Sequence, residues 1–192
     1  METNRRYYEL MWSDPEDDDD PGGVAYAPGS FELWLEPHST LLTTWNVPTF
    51  QLRDGSFTDY LANNKGLPMC SEHMREIIET HRGQADLLEW LPVEVHDVQP
   101  GPAGVGGEEQ QSRHYAIPHL LEELDVVDTT RSIMASTGFV VKPHLILAKI
   151  GAHQIFRYRG GGDMTICMSN KLRLALLEWG CTGCHFWEIP AS

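Results

Sequence analysis

The chain has no apolar run approaching the roughly 20 residues that a membrane-crossing helix needs, so no transmembrane helix is expected in its 192 residues. Behind the opening Met-Glu-Thr-Asn-Arg-Arg there is no apolar stretch with a small-residue cleavage site, so no secretory leader is expected and a cytoplasmic address is the default. Four cysteines, at 70, 167, 181 and 184, are too few and too unevenly spaced for a disulfide framework in a chain of this length. Basic residues are also scarce: 14 Lys and Arg stand against 28 Asp and Glu, a formal net charge of −14. A chain this negative repels phosphates and releases no counterions from them, which excludes non-specific nucleic-acid binding.

The familiar catalytic signatures are missing too. No His-Glu-x-x-His, His-x-His or Gly-x-Ser-x-Gly occurs. Gly160-Gly161-Gly162 lacks the Lys-Ser/Thr of a phosphate-binding loop, and the Gly104–Gly107 stretch is followed by Glu108-Glu109, which would repel phosphate. The nine histidines are scattered and read as surface or packing residues. No catalytic, cofactor or metal residue is assigned on these grounds, and no cofactor is expected.

The acidity that is present is segregated. Residues 1–60 carry 3 basic and 12 acidic side chains, residues 61–130 carry 4 and 13, and residues 131–192 carry 7 and 3, so the last third is net positive. Six of the seven residues from Asp14 to Asp20 are acidic, and Pro21-Gly22-Gly23 follows. Such a block repels itself and has nothing to bury, so a disordered acidic loop is expected over 13–23. Pro100–Gln111, with four glycines and two prolines, predicts a flexible loop over 100–112. Adjacent aspartates lack the ligand spacing of a calcium loop. They suit the capture of a basic partner instead, and Asp17, Asp18, Asp19, Asp20, Glu108 and Glu109 are the candidate contacts.

Between these loops the pattern predicts one α+β domain over 1–192, strand-rich, with a mixed or antiparallel sheet and a few helices. Strands are expected at Arg5–Trp12, Val24–Ala27, Phe31–Glu36, Leu41–Trp45, Thr49–Leu52, Leu87–Val98 and Tyr115–Leu121. Leu145–Ile150 and Gln154–Tyr158 read as a further strand pair, Met164–Met168 as a short apolar run, and Phe186–Ile189 as a closing strand. One helix starts at Ser71, whose hydroxyl suits an N-cap, and places Met74, Ile77, Ile78 and His81 on one face before Gly83 stops it. A second, capped by Ser169-Asn170, places Leu172, Ala175 and Leu176 inward and meets Gly180 at its C′ position. No internal repeat is evident along the chain.

Cys181-Thr182-Gly183-Cys184 has the spacing of a redox motif and of half a zinc site. It follows a helix, where the dipole does not lower a thiol pKa, and no second Cys-x-x-Cys completes a zinc site. An ordinary turn is the expected reading. A thiol or metal enzyme built on Cys181 and Cys184 is the lesser alternative.

Several fragments together carry a resemblance. These are Tyr7-Tyr8-Glu9-Leu10, Gly66-Leu67-Pro68-Met69-Cys70-Ser71 leading into Met74-Arg75-Glu76-Ile77-Ile78, and Leu91-Pro92-Val93-Glu94-Val95. Tyr115-x-Ile117, Leu124-Asp125-Val126-Val127-Asp128 with Ser132, and Ile155-Phe156-Arg157 continue the series. It closes on Met168-Ser169-Asn170 and a helix ending in Gly180-x-Thr182-Gly183-x-x-Phe186-x-Glu188. The chain resembles the immunity-protein-eleven family of bacterial polymorphic toxin systems over nearly its whole length, the closing segment being the most distinctive. The acidic block and the glycine-rich segment depart from the family pattern, which demands cysteine at neither 181 nor 184 and supplies no catalytic residues. The resemblance implies a small intracellular α+β protein that binds and blocks a cognate toxin, a nuclease with a basic cleft being one candidate. A non-enzymatic structural or regulatory interaction module is the alternative.

Overall fold

The computed structural model describes residues 5–13, 22–27, 45–99, 111–162 and 164–192. The expected helix over Glu72–His81 (α1) forms for the reason the sequence suggests: Ser71 is extended, and its hydroxyl accepts the Met74 N–H while Met74, Ile77 and Ile78 are buried. The chain leaves the helix through Arg82, whose backbone is extended and whose N–H bonds Ile78 O. The second helix, Asn170–Glu178 (α3), is capped in the same way by Ser169 and is followed by Gly180 at φ 69°.

The strands are β1 (Tyr7–Trp12), β2 (Val24–Tyr26), β3 (Thr49–Asp54), β4 (Tyr60–Asn63), β5 (Met69–Ser71), β6 (Leu88–Asp97) and β7 (Ser112–Leu120). The C-terminal half adds β8 (Glu123–Leu124), β9 (Ile133–Met134), β10 (Val140–Lys142), β11 (Ile155–Tyr158), β12 (Cys167–Ser169) and β13 (Cys184–Ile189). A closed barrel runs β2-β3-β6-β7-β5-β4 and shuts on a parallel β2–β4 pairing. Its lumen is filled by Phe50, Leu52, Leu61, Met69, Val93, Val95 and Ile117, none with measurable exposure, as a small barrel requires. A five-stranded sheet runs β13-β1-β12-β11-β8, and β9 and β10 form a small hairpin. The domain is thus α+β with mixed strand pairing.

The two larger sheets are two versions of one unit. In the barrel, the order β4-β5-β7-β6 is matched by β11-β12-β1-β13 in the other sheet. The registers agree: Tyr60 and Leu61 pair with Cys70 and Met69, and Ile155 and Phe156 with Met168 and Cys167. Ser71 lies opposite Tyr115 as Ser169 lies opposite Tyr7. Even the edge contact recurs, for Phe50 runs parallel beside Val95, and Leu145, flanked by Val127, runs parallel beside Ala191. Arg75 sits 5.8 Å over the Trp90 ring, and Arg173, at the same place in α3, sits 5.6 Å over Phe186. The helices pack on each other across the junction, where Met74, Ile77 and Ile78 of one unit share a core with Leu172, Ala175 and Leu176 of the other.

Each unit also lends its first strand to the other. β1 comes from the N-terminal unit and completes the C-terminal sheet, whereas β7 opens the C-terminal unit and completes the barrel. This exchange ties the two halves into one body. The repeat escapes the sequence because the equivalent core positions exchange one apolar residue for another (Met74 for Leu172, Ile78 for Leu176), and burial specifies apolarity and size more tightly than identity.

Several expectations need correction. Leu145–Ile150 is not a strand: Leu145 makes single-residue bridges and Leu147–Ile150 is a short helix (α2) ending at Gly151 with φ 64°. Trp45 lies outside any strand, while Phe31–Glu36 and the rest of Leu41–Trp45 fall outside the described residues. Of the residues 13–23 expected in the acidic loop, Gly22 bridges Ser56 and Gly23 donates to Ser56 O at 2.9 Å, while 14–21 lie outside the described residues. Of the expected loop over 100–112, Ser112 pairs with His96, and 100–110 lie outside the described residues.

Candidate functional site

A dense polar cluster is built on Asp59, one residue before β4. Its carboxylate accepts Ser71 Oγ (2.6 Å) and His73 Nδ1 (3.2 Å) on one oxygen. The other oxygen accepts the Thr182 N–H (3.0 Å) and the Thr182 hydroxyl (3.1 Å). The Asp59 N–H points at Thr182 Oγ1 (3.1 Å), the Tyr60 N–H reaches Thr182 O (3.0 Å), and the Ser71 N–H reaches Asp59 O (2.7 Å). Burial raises the Asp59 pKa, but the hydrogen bonds from Ser71, Thr182 and His73 outweigh it and hold the carboxyl below its ordinary value. Thr182 belongs to the turn between α3 and β13, so Asp59 clasps the C-terminal unit to the barrel.

The counterpart clasp joins the units in the reverse direction. Gln154, one residue before β11, accepts the Ser169 hydroxyl at 2.6 Å and the Ser169 N–H at 2.8 Å, as Asp59 does from Ser71. The partner across the junction is Asp86, whose side chain is fully buried and accepts the Gly83, Gln154 and Ile155 N–H groups and His153 Nδ1. Asp86 precedes β6 by two residues, as Thr182 precedes β13.

Cys181 brings its sulfur into the first cluster. Among the described residues, ligand atoms of Asp59, His73 and Cys181 lie within 4.8 Å of one another. In sequence the zinc reading of Cys181 and Cys184 lacked a second pair of ligands, and the fold brings an Asp and a His from more than a hundred residues away. Their chemistry nonetheless favours the clasp, because both Asp59 oxygens are already engaged by four protein donors. The Cys181 thiol is pushed up to about 12 by burial, then by the Asp59 and Cys184 charges, which is the reverse of an activated thiolate. Cys184 Sγ points at Cys181 O, 3.5 Å away, and Cys70 and Cys167 are buried. The Thr-Gly between the cysteines is the part the fold uses.

Of the residues assigned to partner capture, Asp17, Asp18, Asp19, Asp20, Glu108 and Glu109 all lie outside the described residues. His119 is buried with Nδ1 2.7 Å from Glu89 Oε1. What sequence reasoning missed is an apolar outer face on α3. Leu174 is 50% and Leu177 46% exposed. The signal was present as a helix with leucines on both faces, and only the placement of α3 shows which of them face water.

No protein-family model matches the chain, and no curated protein matches it. No helix among the described residues is long and apolar enough to cross a membrane.

Proposed function

We propose that the protein is a toxin-neutralising immunity protein that captures a basic toxin, a nuclease being the best fit, and blocks it by occupying its substrate cleft. The observation that carries this reading is the formal charge of −14, concentrated in the first 130 residues. An acidic surface accelerates encounter with a cationic cleft, and a smaller buried set of contacts then sets specificity. The chain-long resemblance to the immunity-protein-eleven family supports the same reading.

The test is co-expression with the protein encoded by the adjacent gene. A neighbour that is toxic alone and harmless with this chain supports the proposal. A stable neighbour complex whose partner is not toxic alone refutes it in favour of a regulatory interaction module, and no rescue of any toxic neighbour also refutes it.

A further inference from the structure

The two helices at the unit junction provide an internal control for what their outer faces require. At two equivalent positions on the outer face α1 carries Glu76 and Glu79, and α3 carries Leu174 and Leu177. The inner faces match, with Met74, Ile77 and Ile78 buried in one helix and Leu172, Ala175 and Leu176 in the other. The fold therefore accepts a polar outer face on this element, and α3 departs from it. One position has a local reason: Glu79 accepts Trp90 Nε1 at 2.6 Å, and the equivalent ring below α3, Phe186, has no N–H to satisfy. That removes the need for a carboxylate at 177 without requiring leucine there, and it says nothing for 174. Neighbouring exposed leucines where the equivalent helix carries carboxylates offer an apolar contact surface.

The charges on the same stripe identify its occupant. Lys171 and Glu178 are exposed at opposite ends of α3, seven residues apart and on one flank of Leu174 and Leu177. Laid antiparallel against another α3 about a two-fold axis, each Leu174 meets the other copy's Leu177. Each Lys171 then lies near the other copy's Glu178, and the helix dipoles oppose. A two-fold contact must be self-complementary, and this stripe is. We propose that the outer face of α3 is a homodimer contact, with Leu174 and Leu177 at its centre and reciprocal Lys171–Glu178 pairs at its ends. The contact is small, so the dimer is expected to be weak and concentration-dependent.

Sedimentation equilibrium of the full chain from micromolar to millimolar concentration tests this. The wild type should shift from monomer to dimer. Leu174→Glu with Leu177→Glu, which places on α3 the residues α1 already carries, should raise the dissociation constant about tenfold or more with unchanged circular dichroism. Lys171→Glu or Glu178→Lys alone should weaken the dimer about fivefold, and the two together should restore it. A monomer at every concentration overturns the proposal. So does a dimer indifferent to the leucine changes, or one that the charge exchange does not restore. None of these outcomes depends on toxin neutralisation, so the two proposals stand or fall separately.

Discussion

Thr182 grips the Asp59 carboxylate with both its backbone N–H and its hydroxyl, at 3.0 and 3.1 Å, across 123 residues of chain. The contact leaves the Thr182 turn with its polar groups satisfied where it meets the barrel. Removing the carboxylate strands the Ser71 and Thr182 donors in a site where the Asp59 side chain is only 17% exposed. Asp59→Ala should therefore cost about 2–4 kcal/mol in chemical denaturation. A loss below about 0.5 kcal/mol, the range of an ordinary surface substitution, would show that the clasp is decorative.

The same carboxylate sets an acid limb. Its folded pKa lies below the ordinary aspartate value, so its stabilisation is complete above that ordinary value and is lost as pH falls through the lower, folded one. Denaturation midpoints measured between neutral pH and the acid range should fall less steeply for Asp59→Asn than for the wild type. Parallel curves would exclude Asp59 as a source of the acid sensitivity.

The equivalence of Ser71 and Ser169 predicts matching losses. Each hydroxyl accepts an N–H of its helix and donates to the residue preceding the neighbouring strand. Ser71→Ala and Ser169→Ala should each destabilise by about 1–2 kcal/mol. Because strand exchange ties the units together, each should lower a single unfolding transition. Two separated transitions in calorimetry would mean that the halves unfold independently.

Gly183 and Gly180 separate steric from conformational cost. Both have positive φ, 74° and 69°. A Cβ at Gly183 would lie 2.5 Å from Thr58 Oγ1 and from Tyr60 O, whereas at Gly180 it meets nothing within 4 Å. Gly180→Ala should cost about 1 kcal/mol, and Gly183→Ala clearly more, because the Thr182 clasp must shift. Equal losses by thermal denaturation would contradict the close approach.

Thiol chemistry offers a separate check. With its pKa pushed up to about 12, Cys181 should react with iodoacetamide at neutral pH more slowly than an unhindered cysteine. Cys181→Ser with Cys184→Ser should leave partner neutralisation unchanged. Fast alkylation, or lost neutralisation by a folded double variant, would restore a working role to the pair.

Local chemistry made much of this protein readable from its residues. Ser71 and Ser169 announce helix starts because a hydroxyl before an amphipathic run satisfies free N–H groups. Gly180 announces a stop because its backbone is left-handed there, and charge is a matter of counting. Short strands were less legible. Leu145 looks like the start of a strand, yet only its place beside Ala191 and Val127 decides that one residue bridges and the next turn is helical. The repeat, the exchange of β1 and β7, and the pairing of Asp59 with Thr182 were decided by tertiary structure alone. Burial fixes the polarity and approximate size of a residue but not its identity, so two units of different sequence share one geometry. Which carboxylates are structural, and which leucines of α3 face water, likewise depends on what the folded chain packs against each side chain.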